Sequence, residues 1–412
     1  MRVSRRSGTW SSVGSGLGKT VRAPLHRNVK TLGVVSLLTD ASSEMIYPLL
    51  PAFLTGPLRA GPALLGVIEG LAETVAALAK VASGHLSDRM PRRKPLMVAG
   101  YGLSSVARPL LALAVSPLHV LAVRLADRLG KGVRGAPRDA LLAEVTPPAE
   151  RGRAFGFHRA MDHAGAMAGP LLASGVLLLT DELRVVFATA AIPAALAMAV
   201  LVFGVREDER SRAASATPGD KSPSRAPLER GFRRYLVVLA AFTLGNSSDA
   251  FLLLRAQETG LPLALIPALW AWHHLVKAAG STWGGTLSDR IGRKRAILLG
   301  WGIYALAYAG FALARSPLTI VALFALYGLF HALTEGPERA LVADLAGPAS
   351  RGRAFGLFHA VTGAMLLPAS LLSGLLWQRL GAEVALGVGA AIAGVAALGL
   401  HLLVPETGPA RG

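Results

Sequence analysis

The chain has 412 residues, of which 52% are hydrophobic and 17% are charged, and its formal net charge is +18. Soluble proteins contain about 25% charged residues, so this composition argues against a set of soluble domains. Three stretches, Val185 to Val205, Ala296 to Ala314 and Val384 to Val404, contain no Asp, Glu, Lys or Arg. Each matches the ~20 residues that a helix needs to cross the hydrocarbon core of a bilayer. The sequence therefore predicts a polytopic membrane protein.

The basic residues are concentrated in alternate loops. Seven Lys and Arg residues precede the first apolar stretch, and a second cluster runs from Arg89 to Lys94. The loop around Arg59, between them, is nearly free of cations. This alternation follows the positive-inside rule, so we expect a multi-pass protein of the cytoplasmic (inner) membrane with both termini in the cytoplasm. Topology thus accounts for the net charge, and the expected partner is the lipid bilayer, not nucleic acid.

Apolar runs bounded by Pro, Gly or charged residues predict twelve membrane-spanning helices, called spans 1 to 12 below. The charged, Ser/Pro-rich segment between spans 6 and 7 is unable to form a core and divides the spans six and six. The spans cover residues 31–55, 61–83, 94–115, 117–141, 153–179, 184–205, 234–256, 261–284, 295–314, 317–342, 353–377 and 382–404.

These spans predict a simple domain organisation. We expect two six-helix bundles joined by a linker, with a basic tail before the first bundle and a short tail after the second. The expected ranges are 1–30 for the cytoplasmic N-terminal tail, 31–205 for the N-terminal bundle, 206–233 for the cytoplasmic linker, 234–404 for the C-terminal bundle and 405–412 for the cytoplasmic C-terminal tail.

Spans 1 and 2 each contain two acids four residues apart, which places the two acids on one helical face. They are Asp40 and Glu44 in "TDASSEMIYPLLP", and Glu69 and Glu73 in span 2. Charged side chains inside a membrane are costly and usually functional. Burial favours the protonated form of a carboxyl group, so these acids are candidates for proton coupling or substrate binding. Alternatively, Asp40 or Glu44 forms a structural ion pair with the cations of span 4.

Span 4 contains "RLADRLGKGVRGAPRD", whose cations recur at three- and four-residue steps and form one basic stripe. We expect Arg128 and Lys131 to line a water-filled cavity, as substrate or coupling cations. The stripe consists of Arg124, Arg128, Lys131, Arg134 and Arg138, of which the last two could equally be positive-inside charges at the cytoplasmic end.

Span 5 carries small residues at regular intervals, Gly156, Gly165 and Gly169, and the last of these is followed by Pro170. Small residues at such intervals let helices pack backbone to backbone, and a proline removes one helical hydrogen bond. The pattern is compatible with a specific role in transport and with ordinary helix packing.

Spans 7 and 8 supply further polar residues. Span 7 reads "GNSSDAFLLLR" and offers Asp249 for proton coupling or substrate and Arg255 as a cation. Span 8 reads "LWAWHHLVK", in which His273 and His274 are candidate substrate contacts beside two tryptophans. The alternative for these histidines and tryptophans is packing within the span or anchoring at the interface.

The two halves of the chain repeat each other. The phrase "GHLSDRMPRRK" at 84–94 returns as "GTLSDRIGRKR" at 285–295, and "ERGRAFGFHRA" at 150–160 returns as "SRGRAFGLFHA" at 350–360. The offset stays at 200–201 residues, which indicates an internal duplication of the kind found in many secondary transporters.

The duplicated phrase, placed after the second span of each half, resembles the signature of the major facilitator superfamily, G-x-L-S-D-R-x-G-R-[KR]. The resemblance covers essentially the whole chain. It implies an all-α membrane protein with twelve transmembrane helices in two pseudosymmetric six-helix bundles. Span 1, and the span 5 pattern that resembles G-x8-G-x3-G-P-x2-G, are similar to the branch of twelve-span drug:proton antiporters, although Ala173 replaces the last glycine.

The resemblance also implies that both copies of the phrase are gating loops, whose aspartate latches the cytoplasmic side shut. One departure is Pro91, which stands where the second copy has Gly292. The implied gating residues are Gly84, Asp88, Arg89 and Arg92 in the first copy, and Gly285, Asp289, Arg290 and Arg293 in the second.

Together these features predict a monomeric secondary transporter that works by alternating access and takes protons and a small molecule as its ligands. We expect proton-coupled export, as an antiporter, of a small amphipathic or organic-anion compound. The alternatives are a proton-coupled importer or facilitator of an organic anion and, from another class, a non-transporting receptor or scaffold. The chain has no cysteine, and no enzyme motif has the required context, so no enzyme activity, cofactor or metal is predicted.

Overall fold

The computed structural model describes residues 24–90, 92–147, 150–207 and 229–406, and for Asp88, Gly152, Thr282 and 347–352 it describes the backbone alone. All regular structure in these ranges is helical. Short 3-10 turns occur at Tyr47–Leu49, Arg108–Leu113 and Leu263–Leu265. The α-helices are α1 (Arg27–Ile46), α2 (Leu50–Thr55), α3 (Pro62–Arg89), α4 (Lys94–Ala107), α5 (Pro117–Glu144), α6 (Arg151–Thr180), α7 (Leu183–Thr189), α8 (Ala191–Gly204), α9 (Arg230–Gly245), α10 (Ala250–Glu258), α11 (Ile266–Ile291), α12 (Arg293–Leu313), α13 (Pro317–Leu380) and α14 (Ala382–Leu403).

Eight helical stretches in the described residues are long and apolar enough to cross a membrane. Helix α13 contains two of them, Pro317–Ala346 and Arg353–Leu380, so the loop expected between spans 10 and 11 is helical in the structure. Predicted spans 1, 2, 4 and 8 are not among the eight. These four contain most of the charged and histidine side chains predicted to form the site, which lowers their mean hydropathy.

Two helices break at corresponding points of the duplicated sequence. Helix α1 gives way to a 3-10 turn at Tyr47 and Pro48, and α9 ends at Gly245 before α10 begins at Ala250. The two breaks meet, since the Tyr47 hydroxyl lies 3.5 Å from Ser248 Oγ. Interrupted helices at matching positions of two repeats are a pointer to a transporter's binding site.

The first repeat (residues 24–207) and the second repeat (residues 229–406) pack together through small residues. Helix α3 runs antiparallel to the second half of α13, where Gly66 lies against the backbone of Ser370 and Gly70 against that of Leu367. A side chain at either glycine would collide with these backbone atoms, so the close approach requires glycine.

The helix ends define two faces of the molecule. On the termini face, the start of α1 is tied to the residues that follow α8 by a 2.6 Å hydrogen bond from Asn28 Nδ2 to the Arg206 carbonyl. On the opposite face, the repeats touch where Ala63 N donates to Gln378 Oε1 at 3.2 Å. Toward the termini face, a Cβ atom on Gly156 or Gly356 would meet nothing within 4 Å. Ala63, Gly66 and Gly70, which contact the second repeat, lie in the half of α3 nearer the opposite face, so these contacts between the repeats are concentrated toward that face.

Candidate functional site

The first repeat holds a buried bidentate ion pair between α3 and α5. Arg124 Nη2 lies 2.7 Å and 2.8 Å from the two carboxylate oxygens of Glu69, and Arg124 Nε lies 3.0 Å from Oε1. Glu69 is 1% exposed and Arg124 is 4% exposed. Such planar pairing is strong and directional, so Glu69, predicted to couple protons or bind substrate, serves as the partner of Arg124 in this conformation.

A second ion pair adjoins the first. Arg108 Nε lies 2.9 Å from Asp127 Oδ1, and Arg108 Nη1 donates to the Thr39 carbonyl at 3.0 Å. Asp127 Oδ2 is also 3.8 Å from Arg124 Nη1. The sequence-based prediction missed both Arg108 and Asp127. The three-residue spacing of Arg124 and Asp127 was a readable signal, whereas the contact of Arg108 across helices was not.

Farther along α5, the stripe is less fully compensated. Arg128 Nε lies 3.1 Å from Glu73 Oε1, but that nitrogen has no hydrogen bond of good geometry. Lys131 is exposed, and within the described part of the chain no carboxylate lies within 4 Å of its ammonium group. The charged groups that influence the Lys131 ammonium group include Arg128, Glu73 and Asp40. Lys131 is thus a cation available to a ligand.

The two acids of α1 have different surroundings. Glu44 Oε2 accepts a 2.8 Å hydrogen bond from Nε1 of Trp270, which belongs to α11 of the second repeat. Asp40 lies in the field of Asp162, Lys131 and Arg134, and in the described residues it has no ion pair within 4 Å. Among the described residues, neither Asp40 nor Glu44 forms a close ion pair with a cation of the stripe. The structure therefore does not show the alternative, a structural ion pair with span 4.

The end of the stripe is packed against side chains of its own repeat. Arg134 Nη1 donates to Ser104 Oγ at 2.9 Å, and its guanidinium lies 4.6 Å from the centre of the Tyr101 ring. Arg138 lies 2.9 Å from Asp139. Arg134 is buried, so it is a packed interior cation and not a loop charge.

The second repeat lines the interface with aromatic side chains and neutral donors. The Tyr327 hydroxyl donates to Asp249 Oδ1 at 2.5 Å. The His273 ring stacks between Trp270 and Tyr327, at centroid distances of 5.0 Å and 5.1 Å. Both ring nitrogens of His274 are buried and have no hydrogen-bond partner in the structure as described. Of the two predicted histidines, His273 is packed and His274 keeps free hydrogen-bonding capacity.

Arg255 does not join this site. Its guanidinium donates to the carbonyls of Phe311, Ala312 and Ala314, at 3.0 Å, 3.1 Å and 2.9 Å, at the end of α12 on the opposite face. Such a residue satisfies the free carbonyls of a helix end. In this conformation Arg255 therefore caps a helix and does not act as the expected substrate-binding cation.

In the second gating loop, Arg293 lies 3.1 Å from Asp289 and 3.5 Å from Asp344 near the end of the first span of α13. In the first loop, Arg93 forms the corresponding ion pair with Glu144. The sequence-based prediction named Asp289 but neither Asp344 nor Glu144. The side chain of Asp88 and all of Pro91 lie outside the described part of the chain.

The structure matches the ends of the two gating loops one residue differently from the alignment of the repeated phrase. Lys94 Nζ donates to the carbonyl of Val205 at 2.7 Å, and Lys294 Nζ donates to that of Val404 at 2.7 Å. The equivalent lysines are therefore 200 residues apart, so Arg93 and not Arg92 matches Arg293. The second loop turns through Gly292 at φ 95°, a conformation that favours glycine. Of the other predicted gating residues, Gly84 lies against Ala136, and a Cβ atom on Gly285 would meet nothing within 4 Å. The remaining three are exposed: Arg89, Arg92 and Arg290.

The glycines of α6 have two different environments. Gly165 lies against the Leu37 backbone and Gly169 against that of Ala41, so both let α6 approach α1 closely. Gly156 faces open space, and Pro170 lies inside the helix. Packing accounts for Gly165 and Gly169 but not for Gly156.

Long apolar helices around a charged interior define a multi-pass membrane protein. The profile of the Major Facilitator Superfamily matches residues 32–272 and 235–412. An uncharacterised MFS-type transporter of Methanocaldococcus jannaschii, MJ1317, is 37% identical over 363 residues, which cover 86% of this chain and 89% of that protein. The chain therefore belongs to the Major Facilitator Superfamily, a family of small-molecule transporters and not of enzymes.

Two further comparisons give more distant likenesses. The multidrug resistance protein MdtH of Photorhabdus laumondii is 25% identical over 338 residues, which cover 78% of this chain and 79% of that protein. A crystal structure of a mutant nucleoside transporter, NupG, superposes with a TM-score of 0.77 at 13% identity, covering 92% of this chain and 100% of that one. At that identity the likeness shows the fold alone.

Proposed function

We propose that the chain is a proton-coupled antiporter that works by alternating access and exports a small amphipathic organic anion across the cytoplasmic membrane. The observation that carries the proposal is the hydrogen bond between Glu44 and Trp270, which joins an intramembrane acid of one repeat to the other repeat. Because the acid belongs to a contact between repeats, a change in its protonation alters that contact. Coupling of a proton to alternating access requires such a link.

The proposed architecture is that of twelve membrane-spanning helices in two pseudosymmetric six-helix bundles. The bundles correspond to residues 31–205 and 234–404, joined by a linker at 206–233, with tails at 1–30 and 405–412. The positive-inside rule supports a cytoplasmic position for the termini face. The structure would then be open toward the cytoplasm, since its contacts between repeats are concentrated toward the opposite face. The chain is proposed to act as a monomer.

The proposed substrate follows from the unequal chemistry of the two repeats. Lys131 and, in part, Arg128 offer positive charge from the first repeat, and Asp40 lies beside them. The second repeat contributes the rings of Trp270 and His274. An anionic group near Lys131 with an apolar or aromatic body against Trp270 would use both surfaces. The likeness to proteins named MdtH, for multidrug resistance, supports export of a compound of this general kind.

A thermal-unfolding screen of the purified protein tests the substrate class. The panel contains organic anions, zwitterions, sugars and lipophilic cations, each at acidic and alkaline pH. A ligand present at 100 times its Kd stabilises the folded state by about 2.7 kcal/mol. We expect organic anions to raise the unfolding temperature of the native chain and of a Lys30→Gln control, but not that of Lys131→Gln. Stabilisation by lipophilic cations alone would contradict the role given to Lys131.

Transport in vesicles of both orientations tests the direction. We expect inverted vesicles with an acidic lumen to accumulate the anion identified in the screen. Accumulation only in right-side-out vesicles would favour the importer. Transport that survives Asp40→Asn combined with Glu44→Gln would refute proton coupling through α1. A receptor or scaffold would transport no compound in either orientation.

A further inference from the structure

A carboxylate of the second repeat, Glu338, takes no part in the contacts described above. It lies on α13, eight residues before the end of the span Pro317–Ala346, which is about 12 Å along a helix. Its Oε1 accepts a 3.0 Å hydrogen bond from Nε1 of Trp301 on α12, and Trp301 is fully buried. An acid within a membrane-spanning helix, away from both of its ends, is a functional-site hypothesis by default.

The charged and titratable groups around Glu338 do not neutralise it. No Lys, Arg or His nitrogen of the described residues lies within 4 Å of its carboxylate, and Arg339, on the same helix, is exposed. Glu335 has the same charge as Glu338 and already pairs with Lys277 at 2.5 Å. From α9, Tyr235 lies in the field of Glu338, with a buried hydroxyl that has no hydrogen-bond partner in the described structure.

The equivalent place in the first repeat has the opposite charge. Two hundred residues earlier, Tyr101 stands for Trp301 and Arg138 stands for Glu338. Arg138 is paired with Asp139 at 2.9 Å. The duplicated scaffold therefore accepts either sign of charge at this place, and packing alone does not account for an acid there.

We propose that Glu338 is a proton-binding site of the second repeat, held by Trp301 and separate from the acids of α1. Glu338 is half-buried, so its side chain is not sealed within the packed interior and a proton can reach it. The bound proton makes the carboxyl neutral. The neutral acid continues to accept the hydrogen bond from Trp301 through its carbonyl oxygen. The proposal rests on the proposed transport function for its purpose, but proton binding itself needs no transported compound.

Infrared spectroscopy of the full chain in proteoliposomes tests the site, with the proton as the only probe. Spectra are recorded in H2O and D2O at neutral pH, with choline in place of sodium. We expect a C=O stretching component of a protonated carboxylic acid that is sensitive to deuterium. It should be lost in Glu338→Gln and kept in Glu335→Gln, the matched acid of the same helix. It should shift in Trp301→Phe, which removes the donor, and stay in place in Trp272→Phe.

Two outcomes would overturn the proposal. An unchanged component in Glu338→Gln would show that Glu338 binds no proton under these conditions. A component that does not shift in D2O would not belong to a protonated carboxyl group. If Glu338→Gln fails to fold, Trp301→Phe decides, since an unshifted component there also refutes the site. Because no substrate is added, failure of every compound in the thermal screen would leave this result intact.

Discussion

In the first repeat, Glu69, Asp127 and Glu73 each lie against an arginine, whereas in the second repeat Asp249 and Glu338 each accept a hydrogen bond from a neutral aromatic side chain. A carboxylate paired with an arginine keeps its charge compensated, so it gains little from taking up a proton. An acid held by a neutral donor remains uncompensated and can exchange a proton at lower cost. The acids that lie against arginines are thus grouped around α5 of the first repeat, whereas those held by neutral donors are Asp249 and Glu338 of the second repeat and Glu44, which accepts from Trp270.

The same divergence appears at matching positions of α5 and α13. Arg124, Arg128 and Lys131 correspond, 200 residues later, to Phe324, Gly328 and His331. Where the first repeat has a basic stripe, the second has an aromatic cluster in which Tyr304, Tyr308 and Phe324 are fully buried. The two repeats share their helix packing, while the interior side chains at these positions are ionic in the first repeat and mainly aromatic in the second.

The strongest test of this contrast compares neutralised acids. We expect Glu69→Gln to lower the free energy of unfolding by about 3–5 kcal/mol, because it leaves the buried Arg124 without its bidentate partner. Asp249→Asn keeps an acceptor for Tyr327 and should cost less than about 1.5 kcal/mol. Denaturant unfolding in mixed micelles measures both. The double variant Glu69→Gln/Arg124→Gln should recover part of the loss, and equal losses for the two single variants would remove the distinction between the repeats.

A smaller effect is expected at the contact between the repeats. Trp270→Phe keeps an aromatic ring but removes the donor to Glu44, a bond worth about 1.5–3 kcal/mol if the acceptor is charged. We expect the repeats to separate more often on the opposite face. Spin labels at Leu118→Cys and Leu318→Cys, both exposed, would report longer distances, and the chain has no native cysteine to interfere.

Trp272 provides the control for that measurement. Its Nε1 donates to the Val321 carbonyl within the second repeat at 3.3 Å, and its side chain is exposed. Trp272→Phe should therefore leave the distance between the labels unchanged. A shift of the same size in both variants would mean that aromatic packing, and not the bond to Glu44, holds the opposite face closed.

The smallest effect concerns the glycines of α6. Gly165→Ala places a Cβ against the Leu37 backbone and should cost about 1–3 kcal/mol of unfolding free energy. Gly156→Ala meets open space and should gain about 0.5–1 kcal/mol from helix propensity. Thermal unfolding of the two variants measures the difference. If Gly156→Ala stays stable but stops transport, Gly156 is needed in another conformation, as a transport role for this motif requires.

Much of the candidate site could be located from the sequence, because the cost of a charge in a membrane and the periodicity of a helix can both be read from a short stretch of chain. The four-residue spacing of Asp40 and Glu44 and the steps of the basic stripe identified polar faces inside apolar spans. The partners of those residues were not predictable in the same way. The sequence predicts Glu69 as a coupling acid, and in the structure it pairs with Arg124. The sequence predicts Arg255 as a ligand-binding cation, and in the structure it caps the end of α12. In both cases the partner belongs to a helix distant in sequence.

The loops show the same boundary between sequence and structure. The repeated phrase indicated a duplication, but aligning its letters paired Arg92 with Arg293. The structure pairs Arg93 with Arg293, because the first loop is longer and the lysines that follow cap equivalent helix ends. Sequence alignment matches identical residue types, whereas the structure matches the lysines that bind free carbonyls at equivalent helix ends.

By itself the sequence determined that this is a multi-pass membrane protein, internally duplicated and of the Major Facilitator Superfamily. Those properties depend on the length of apolar runs, the placement of cations and the recurrence of a phrase, all of which are local in the chain. Only the tertiary structure decided which acids are paired with arginines and which are held by neutral donors. That decision depends on how helices rotate and cross, and on distances of about 3 Å that no spacing within a single helix can encode.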